Sequence, residues 1–270
     1  MDNHIFDIPN ICTGLVINRP SKTCKSPYVA DIKVIDHQNP ELINDDIIMA
    51  HSPALGCCGM VHPGKQVLMT KIKKPSGKCV YSIIAHLAED NTIVLVHPLY
   101  SNRIWGTILE KQLHPKYSDF KSFKAECKIE ESRFDFYGIK HDGKECYMEI
   151  KSAPLGSINI TDKKYKCCVG KDKETKRISF FPDGYRKKKG DPVSPRALKH
   201  IQHLTKLVGE GYECSLIFVI CRTDTIGFML SPWDPIYKKA VEEGRKAGVK
   251  IEVIRVSVIR DGYDLKLYLV

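Results

Sequence analysis

The 270-residue sequence lacks several features that would settle its class at once. No apolar run approaches the roughly 18 residues that a membrane-crossing helix needs, so no membrane partner is expected. The opening MDNHIFDIPNIC has no basic segment leading into an apolar stretch, so no signal peptide is expected. There are 11 cysteines but no C-x-x-C, and the adjacent pairs Cys57-Cys58 and Cys167-Cys168 lack zinc-ligand spacing. Reduced, mostly buried thiols in a cytoplasmic protein are therefore expected. No internal repeat is visible, which excludes solenoid and propeller architectures.

What is present is a substantial apolar content, 43%, and a net charge of +10 with pI near 9.0. A chain of this length can fill one large domain or two ordinary ones. The charge favours a polyanionic partner such as nucleic acid. Its distribution says more than its total. Residues 160–191 hold 11 Lys/Arg against 5 Asp/Glu, so six of the ten net positive charges lie in about an eighth of the chain. The plainer reading of such a block is a solvated loop.

The first third reads as five short strands, at 12–18, 28–36, 46–51, 66–72 and 78–87, separated by turn residues. That count suits a small barrel of the OB type, with a small sandwich as the alternative. The connection KIKKPSGK makes one rim basic through Lys71, Lys73, Lys74 and Lys78. Tyr28 and Tyr81 are candidates for stacking on bases, or for the barrel core. LAEDNT (87–92) marks a boundary. Beyond it come a strand at 93–97, a helix at 98–113 and strands at 122–129, 133–139 and 145–151. A helix opens at Ser194-Pro195, which supply a cap and a first-turn proline. The all-apolar CSLIFVI (214–220) reads as a strand covered on both faces. A last helix begins at Asp234-Pro235, and two closing strands complete a mixed α/β domain.

Acid-x-Lys triplets occur eight times, but the one at Glu149 stands apart. It lies late in the alternating strand ECYMEIK, whose hairpin partner RFDFYGI carries Asp135. The apolar faces of the two strands coincide only if paired residue numbers sum to an even number. A three-residue loop HDG with Gly143 left-handed pairs Lys140 with Lys144. In that register Asp135 and Glu149 oppose each other, with Cβ atoms roughly 5 Å apart. Two carboxylates so placed require a proton or a cation between them. Mg²⁺ on Asp135, Glu149 and the carbonyl of Ile150, with Lys151 beside it, would suit phosphodiester hydrolysis. A solvent-facing hairpin with scattered charges is the plainer alternative. On the 194–210 helix, Arg196, His200 and His203 share one face, which reads as polar surface opposite the apolar stripe.

The segments RFDFYG, ECYMEIKSAPL, FFPDG, PRALKHIQHL and LVHPLYSNRI resemble the bacterial sugar fermentation stimulation protein A (SfsA) family. So does residues 34–67, and the likeness spans nearly the whole chain. It implies an α/β (mixed) fold, with an N-terminal OB-like barrel at 1–88. A PD-(D/E)xK restriction-endonuclease-like domain would fill 89–270, with basic insertions at about 157–178 and 185–193. It further implies nucleic-acid binding, to DNA ahead of RNA, and cleavage dependent on Mg²⁺ or Mn²⁺. A homodimer is compatible with this. Asp135, Glu149 and Lys151 match the family's site. Asn102 and Arg103 match its Asn-Arg, and Asp183, Arg196, Lys199 and His200 its downstream segment, which makes Arg196, Lys199 and His200 candidate phosphate contacts. Lys71, Lys73, Lys74, Lys187 and Lys188 are added as backbone contacts. Two departures stand out. Ser52-Pro53-Ala54-Leu55-Gly56 replaces Cys-Pro-Asn-Thr-Gly, and Thr107 replaces a helix glutamate, for which Glu110 is the candidate substitute. The rival reading is a non-catalytic DNA-binding transcriptional regulator on the same fold. No sugar-site chemistry is visible.

With so many lysines as candidate phosphate contacts, affinity for DNA is expected to fall steeply as salt rises from 50 to 200 mM. A titration by fluorescence anisotropy checks this, and affinity flat in salt would remove the clamp role of the basic segments.

Overall fold

The structure is a computed structural model that describes residues 3–54, 59–75, 77–157, 177–182, 188 and 190–270. The expected class, mixed α/β with an OB-like barrel in the N-terminal part, is what it has. Strand β1 is His4–Ile8; the barrel follows as β2 (Ile11–Asn18), β3 (Val29–Asp36), β4 (Ile47–His51), β5 (Gln66–Lys71), β6 (Tyr81–Leu87) and the short β7 (Ile93–Leu95). They lie in the order β4-β3-β2-β5-β6-β7. The ring closes where β4 pairs with β6 in parallel, Ala50 with Tyr81 and His51 with Ser82. The first barrel strand thus lies between the second and fourth, and the third meets the fifth in parallel. This closure selects the OB-like barrel over the sandwich. Val16, Ile32, Val67, Met69 and Ile83 fill it. A Cβ on Gly14 would collide with Ile32 and Met69, so glycine is needed where β2 shifts register against β3.

The second lobe is built on a seven-stranded sheet, β1-β16-β15-β13-β10-β9-β8. Its members are β8 (Phe120–Ile129), β9 (Ser132–Lys140), β10 (Glu145–Ser152), β13 (Glu213–Ile220), β15 (Lys250–Asp261) and β16 (Asp264–Leu269). Strands β10, β13 and β15 run parallel, with antiparallel hairpins on either side. One face carries α1 (Leu99–Glu110), which buries Ile104, Trp105, Ile108 and Leu109. The other carries α2 (Pro195–Gly209) and α3 (Pro235–Ala247), packed together where a side chain on Gly244 would meet Ile201 and Thr205. Strand β13 is apolar from Leu216 to Ile220 because it serves both faces: Ile217 and Val219 face the α1 side, Leu216 and Phe218 the α2 side. Asp234 caps α3 by accepting from the Tyr237 amide at 3.1 Å, and Gly248 ends it with φ +116°. Ser194, expected to cap α2, makes no side-chain cap bond; Pro195 alone fits its place in the first turn.

The expected split at 88/89 does not follow the sheets. Strand β1 joins the large sheet by pairing with β16, and β7 pairs with β6 in the barrel. The lobes also share one core, in which Ile11, Leu68, Ile84 and Leu95 pack with Ile104, Trp105 and Ile217. The β15–β16 end grips the barrel. Arg260 donates to Asp36 at 2.5 Å, the Tyr263 hydroxyl to Asp36 at 3.2 Å, and the Ile11 amide to the Tyr263 carbonyl at 2.7 Å. A small third sheet of β11 (Leu155–Ser157), β12 (Arg177–Phe181) and β14 (Thr225–Leu230) was not expected from the sequence.

His86 on β6 is 3% exposed and its Nδ1 lies 3.0 Å from the Gln66 carbonyl. Burial, with nearby Lys65 and Arg222, pushes its imidazole from 6.5 down to about 4. Between those values the unfolded chain takes up a proton that the native state refuses. Stability is therefore lost as pH falls from about 6.5 toward 4, by roughly 3 kcal/mol from this group. Urea unfolding from pH 7.5 to 4 should show His86→Gln losing less than the parent. Identical pH profiles would show that His86 does not govern this loss.

Candidate functional site

The β9–β10 hairpin sets the geometry. Its loop is His141–Gly143, with Gly143 at φ +85° and the Lys140 amide donating to the Lys144 carbonyl at 2.9 Å. Pairing continues through Glu145–Ile139, Cys146–Gly138, Tyr147–Tyr137 and Met148–Phe136. This is the expected register, and it stops one step short of Asp135 and Glu149. There β10 stays with β13, which it accompanies as far as Ser152. In place of the next backbone acceptor, Asp135 Oδ2 accepts the Ile150 amide at 2.8 Å. Asp135 Oδ1 accepts from Asn102 Nδ2 on α1, also at 2.8 Å.

The same break appears on the outer side of β9. The ladder with β8 skips from Ala125–Phe136 to Cys127–Phe134, and Glu126 between them has φ +54°. Phe134 and Phe136, expected on one face, therefore lie on opposite faces. Phe136 packs with the α1-side core, while Phe134 packs with Tyr147 and α2. An even alternation holds only along an unbroken strand.

Glu149 leaves β10 on the face opposite Met148 and Ile150, as its parity requires. It is 2% exposed beneath α2. Its Oε1 lies 2.5 Å from His200 Nδ1 and also takes the Lys151 ammonium. Its Oε2 is buried with no hydrogen-bond partner among the described residues. The Tyr237 hydroxyl on α3 is likewise buried and unpartnered, and the charges of Glu149 and Asp234 add to the burial that raises its phenol.

The two acids titrate differently. Burial lifts Asp135 above the ordinary range and the Glu149 charge adds to this; the Ile150 amide and Asn102 only partly offset them. Burial also pushes Glu149 upward, but His200 and Lys151 outweigh it and hold the carboxyl below its usual value. Environments that drive two neighbouring carboxyls apart are a recurring mark of acid–base or metal chemistry. The donor set suits a hard divalent ion of the Mg²⁺ type: two carboxylates, one with an unsatisfied buried oxygen. Among the described residues, no three His, Cys, Asp or Glu side chains converge as a ligand group.

Asp135, Glu149, Lys151, Asn102, Ile150 and His200 are thus brought together, and the other candidates are not. His200 is buried, so it cannot be the phosphate contact the sequence suggested; it points inward onto Glu149. His203 is also buried, its Nδ1 2.6 Å from Ser132 Oγ. Lys199 is exposed and bonded to the carboxylate and carbonyl of Glu131, and Arg196 is exposed at the start of α2. Arg103 stacks on Phe6 of β1, with 4.0 Å from its guanidinium carbon to the ring centre. Glu110 is exposed at the far end of α1. It lies eight residues, about 12 Å of helix, beyond Asn102, so it does not supply the missing acid. Ile150 contributes its amide, to Asp135. Lys71, Lys73, Lys74 and Lys188 are exposed, and Tyr81 is buried in the barrel whereas Tyr28 is 42% exposed. Lys187, Asp183 and the basic stretch 158–176 lie outside the described residues. No sequence pattern pointed to Tyr237. The inward turn of His200 had one, its place between Ala197, Ile201 and Leu204 on the buried side of α2.

Comparison with known proteins points one way. A family model described as "Sugar fermentation stimulation protein RE domain" matches residues 99–262. A sugar fermentation stimulation protein homolog of Desulforamulus reducens is 27% identical, over 100% of this chain and 97% of that protein. A homolog from a Marinomonas species is 26% identical over 84% of this chain and 79% of its own. The structure of Pyrococcus furiosus SfsA in complex with Ca²⁺ superposes with a TM-score of 0.74 at 19% identity, covering 98% of this chain and 96% of that one.

The buried charge network predicts a specific pattern of stability. His200→Ala leaves Glu149 buried with Lys151 as its remaining partner and should cost about 3 kcal/mol in urea unfolding. Adding Glu149→Gln should recover part of that loss, because the uncompensated charge goes with it. Strictly additive losses would mean that the two side chains are not coupled.

Proposed function

The chain belongs to the sugar fermentation stimulation protein family, and on that premise we propose that it binds DNA and hydrolyses phosphodiester bonds with a divalent ion, Mg²⁺ or Mn²⁺. The observation that carries this reading is the buried Glu149 carboxylate, with one oxygen held by His200 and Lys151 and the other unpartnered, next to Asp135. The Ca²⁺ bound by the Pyrococcus furiosus protein supports a divalent ion in a fold of this kind. Asp135, Glu149 and the Ile150 carbonyl would hold the ion. When bound, it would polarise a phosphate oxygen and lower the pKa of a water.

The remaining work falls to side chains. Asn102 and the Ile150 amide fix both oxygens of Asp135, so this carboxylate needs no reorganisation when substrate arrives. His200 fixes Glu149 from beneath α2. Such outer partners set the orientation of a ligand and raise its basicity. Lys151, released from Glu149 Oε1, would steer the attacking water and offset charge at phosphorus. Exposed lysines of the barrel, Lys71, Lys73 and Lys74, would hold the backbone electrostatically, as would Lys188 and Lys187. Arg196 stands at the open start of α2 and fits the same role. The cytoplasm, reducing and rich in nucleic acid, suits both the free thiols and this chemistry.

A second reading, a DNA-binding transcriptional regulator without turnover, is favoured by one observation. Among the described residues, no third acidic side chain joins Asp135 and Glu149.

Single- and double-stranded DNA and RNA, incubated with Mg²⁺, Mn²⁺ or EDTA, separate the two. Cleavage that needs the ion and disappears in Glu149→Ala and Lys151→Ala is expected. His200→Ala should retain cleavage reduced roughly 10–100-fold. Binding without cutting under every condition would establish the regulator instead.

A further inference from the structure

The barrel has a cavity of about 460 Å³, lined by Cys24, Val29, Met49, His51, Ile72, Gly77, Lys78 and Cys79. That volume lies within the range of roughly 300–1,000 Å³ typical of small-molecule sites. Its position follows from the topology. Cys24 comes from the loop joining β2 to β3, which are the first and second barrel strands; Ile72, Gly77, Lys78 and Cys79 come from the loop joining β5 to β6, the fourth and fifth. The cavity therefore opens between the two loops that flank the ligand-binding face of an OB-like barrel.

The chemistry of its walls and rim is uneven. Val29, Met49 and Ile72, together with the sulfurs of Cys24 and Cys79, make the interior apolar. The two loops that flank it carry charge of one sign. Residues 19–28 carry Arg19, Lys22 and Lys25, residues 71–80 carry Lys71, Lys73, Lys74 and Lys78, and neither stretch contains an Asp or Glu. Arg19 is committed to backbone, donating to the carbonyls of Pro27, Ala54 and Val61. The six lysines are all exposed, and so is Cys24, which leaves the mouth open to solvent. An apolar hole ringed by cations calls for a ligand with a flat apolar body and anionic links on either side.

Resting on the reading of this chain as a nucleic-acid-binding protein, we propose that this cavity receives one unstacked nucleobase of a single-stranded nucleic acid, with the flanking phosphates on the loop lysines. A base in a duplex is stacked on both faces and cannot enter. A free base offers a π-face to the thioether of Met49 and to the two thiols, a favourable contact for sulfur. With few polar groups inside, the pocket takes bases with little regard to sequence. Exposed Tyr28, adjacent in sequence to the lining Val29, stands ready to stack the neighbouring base. The barrel thereby selects single strands or frayed ends for the Asp135–Glu149 site.

The two cysteines make the occupancy measurable without any cleavage. The full-length protein in EDTA is treated with iodoacetamide, and modification of Cys24 and Cys79 is followed by peptide mass spectrometry. A single-stranded DNA 12-mer at about ten times its Kd should slow both thiols roughly tenfold. Its blunt duplex, inorganic phosphate and decanoate should not protect them. Met49→Trp, which fills the cavity, should weaken single-strand binding roughly tenfold, with circular dichroism confirming that it folds. Lys78→Ala, at an exposed position, should weaken it and make it less sensitive to salt. A 12-mer that binds by anisotropy while both thiols stay fully reactive overturns the pocket alone. Equal protection by duplex or by decanoate also overturns it, the latter assigning the cavity to an apolar anion. If no nucleic acid binds at all, the broader reading fails with it.

Discussion

The hydrogen bond from the Ile150 amide to Asp135 is the constraint around which the site is arranged. Strands β9 and β10 have to part for α2 to reach the sheet beside Glu149, and a parting ladder orphans a buried amide. Such a group must find an acceptor. A carboxylate from the departing strand supplies it, and in doing so is drawn to the mouth of the opening rather than left to rotate in solvent. Asn102 then fixes the second oxygen from the opposite layer. One polar contact thus links α1, β9 and β10 and delivers an acid to a defined position. The displaced Phe134, now under α2 with its ring 5.8 Å from that of His200, helps to wall the other acid.

Electrostatics explains why the arrangement is poor as a device for stability alone. A carboxylate as buried as Glu149 loses hydration that its partners must replace, and buried ion pairs seldom do better than apolar side chains of the same size. Here the Lys151 ammonium and the His200 ring nitrogen converge on one oxygen while the other is left bare. Asp135 compounds the cost by facing a like charge. A fold under selection for packing alone would fill this space with leucine. Unsatisfied oxygen, offset carboxyl pKa values and an adjacent amine are the features on which the proposed hydrolytic role rests.

Much of this was legible in the sequence, for definable reasons. The hairpin register followed from Gly143 and from the parity of two alternating strands. The barrel followed from five short strands punctuated by turn residues. What was hidden depends on breaks in regularity or on distance along the chain. Parity placed Phe134 with Phe136 because nothing in RFDFYG announces that the ladder fails at Asp135. Strand β1 pairs with residues more than 250 positions away, and no local pattern reports such a partner. Strands β11 and β12 are short and flank the basic stretch, whose charge masked them. His200 was read as surface because histidine is polar, yet it sits beside the Ala197–Ile201–Leu204 stripe and is covered once α2 docks.

The shared core bears on how the two lobes cooperate. A barrel tethered by a flexible linker would sample many positions relative to the cleft, and a strand bound on one would meet the other only by chance. Here β1 is sewn into the large sheet before the barrel begins, Leu95 donates its amide to the Cys221 carbonyl at 3.1 Å, and Asp36 is held by Arg260 and Tyr263. Ile84 and Trp105 lie in the same core. Breaking the lobes apart would expose that core and break the Leu95–Cys221 and Ile11–Tyr263 backbone bonds, so the two are packed as one body. The path between the lysine-rimmed loops and the Asp135–Glu149 pair is therefore of fixed length. On the proposed function, a rigid separation of that kind would convert binding on the barrel directly into placement at the acids, because no hinge entropy would be spent when a substrate spans them.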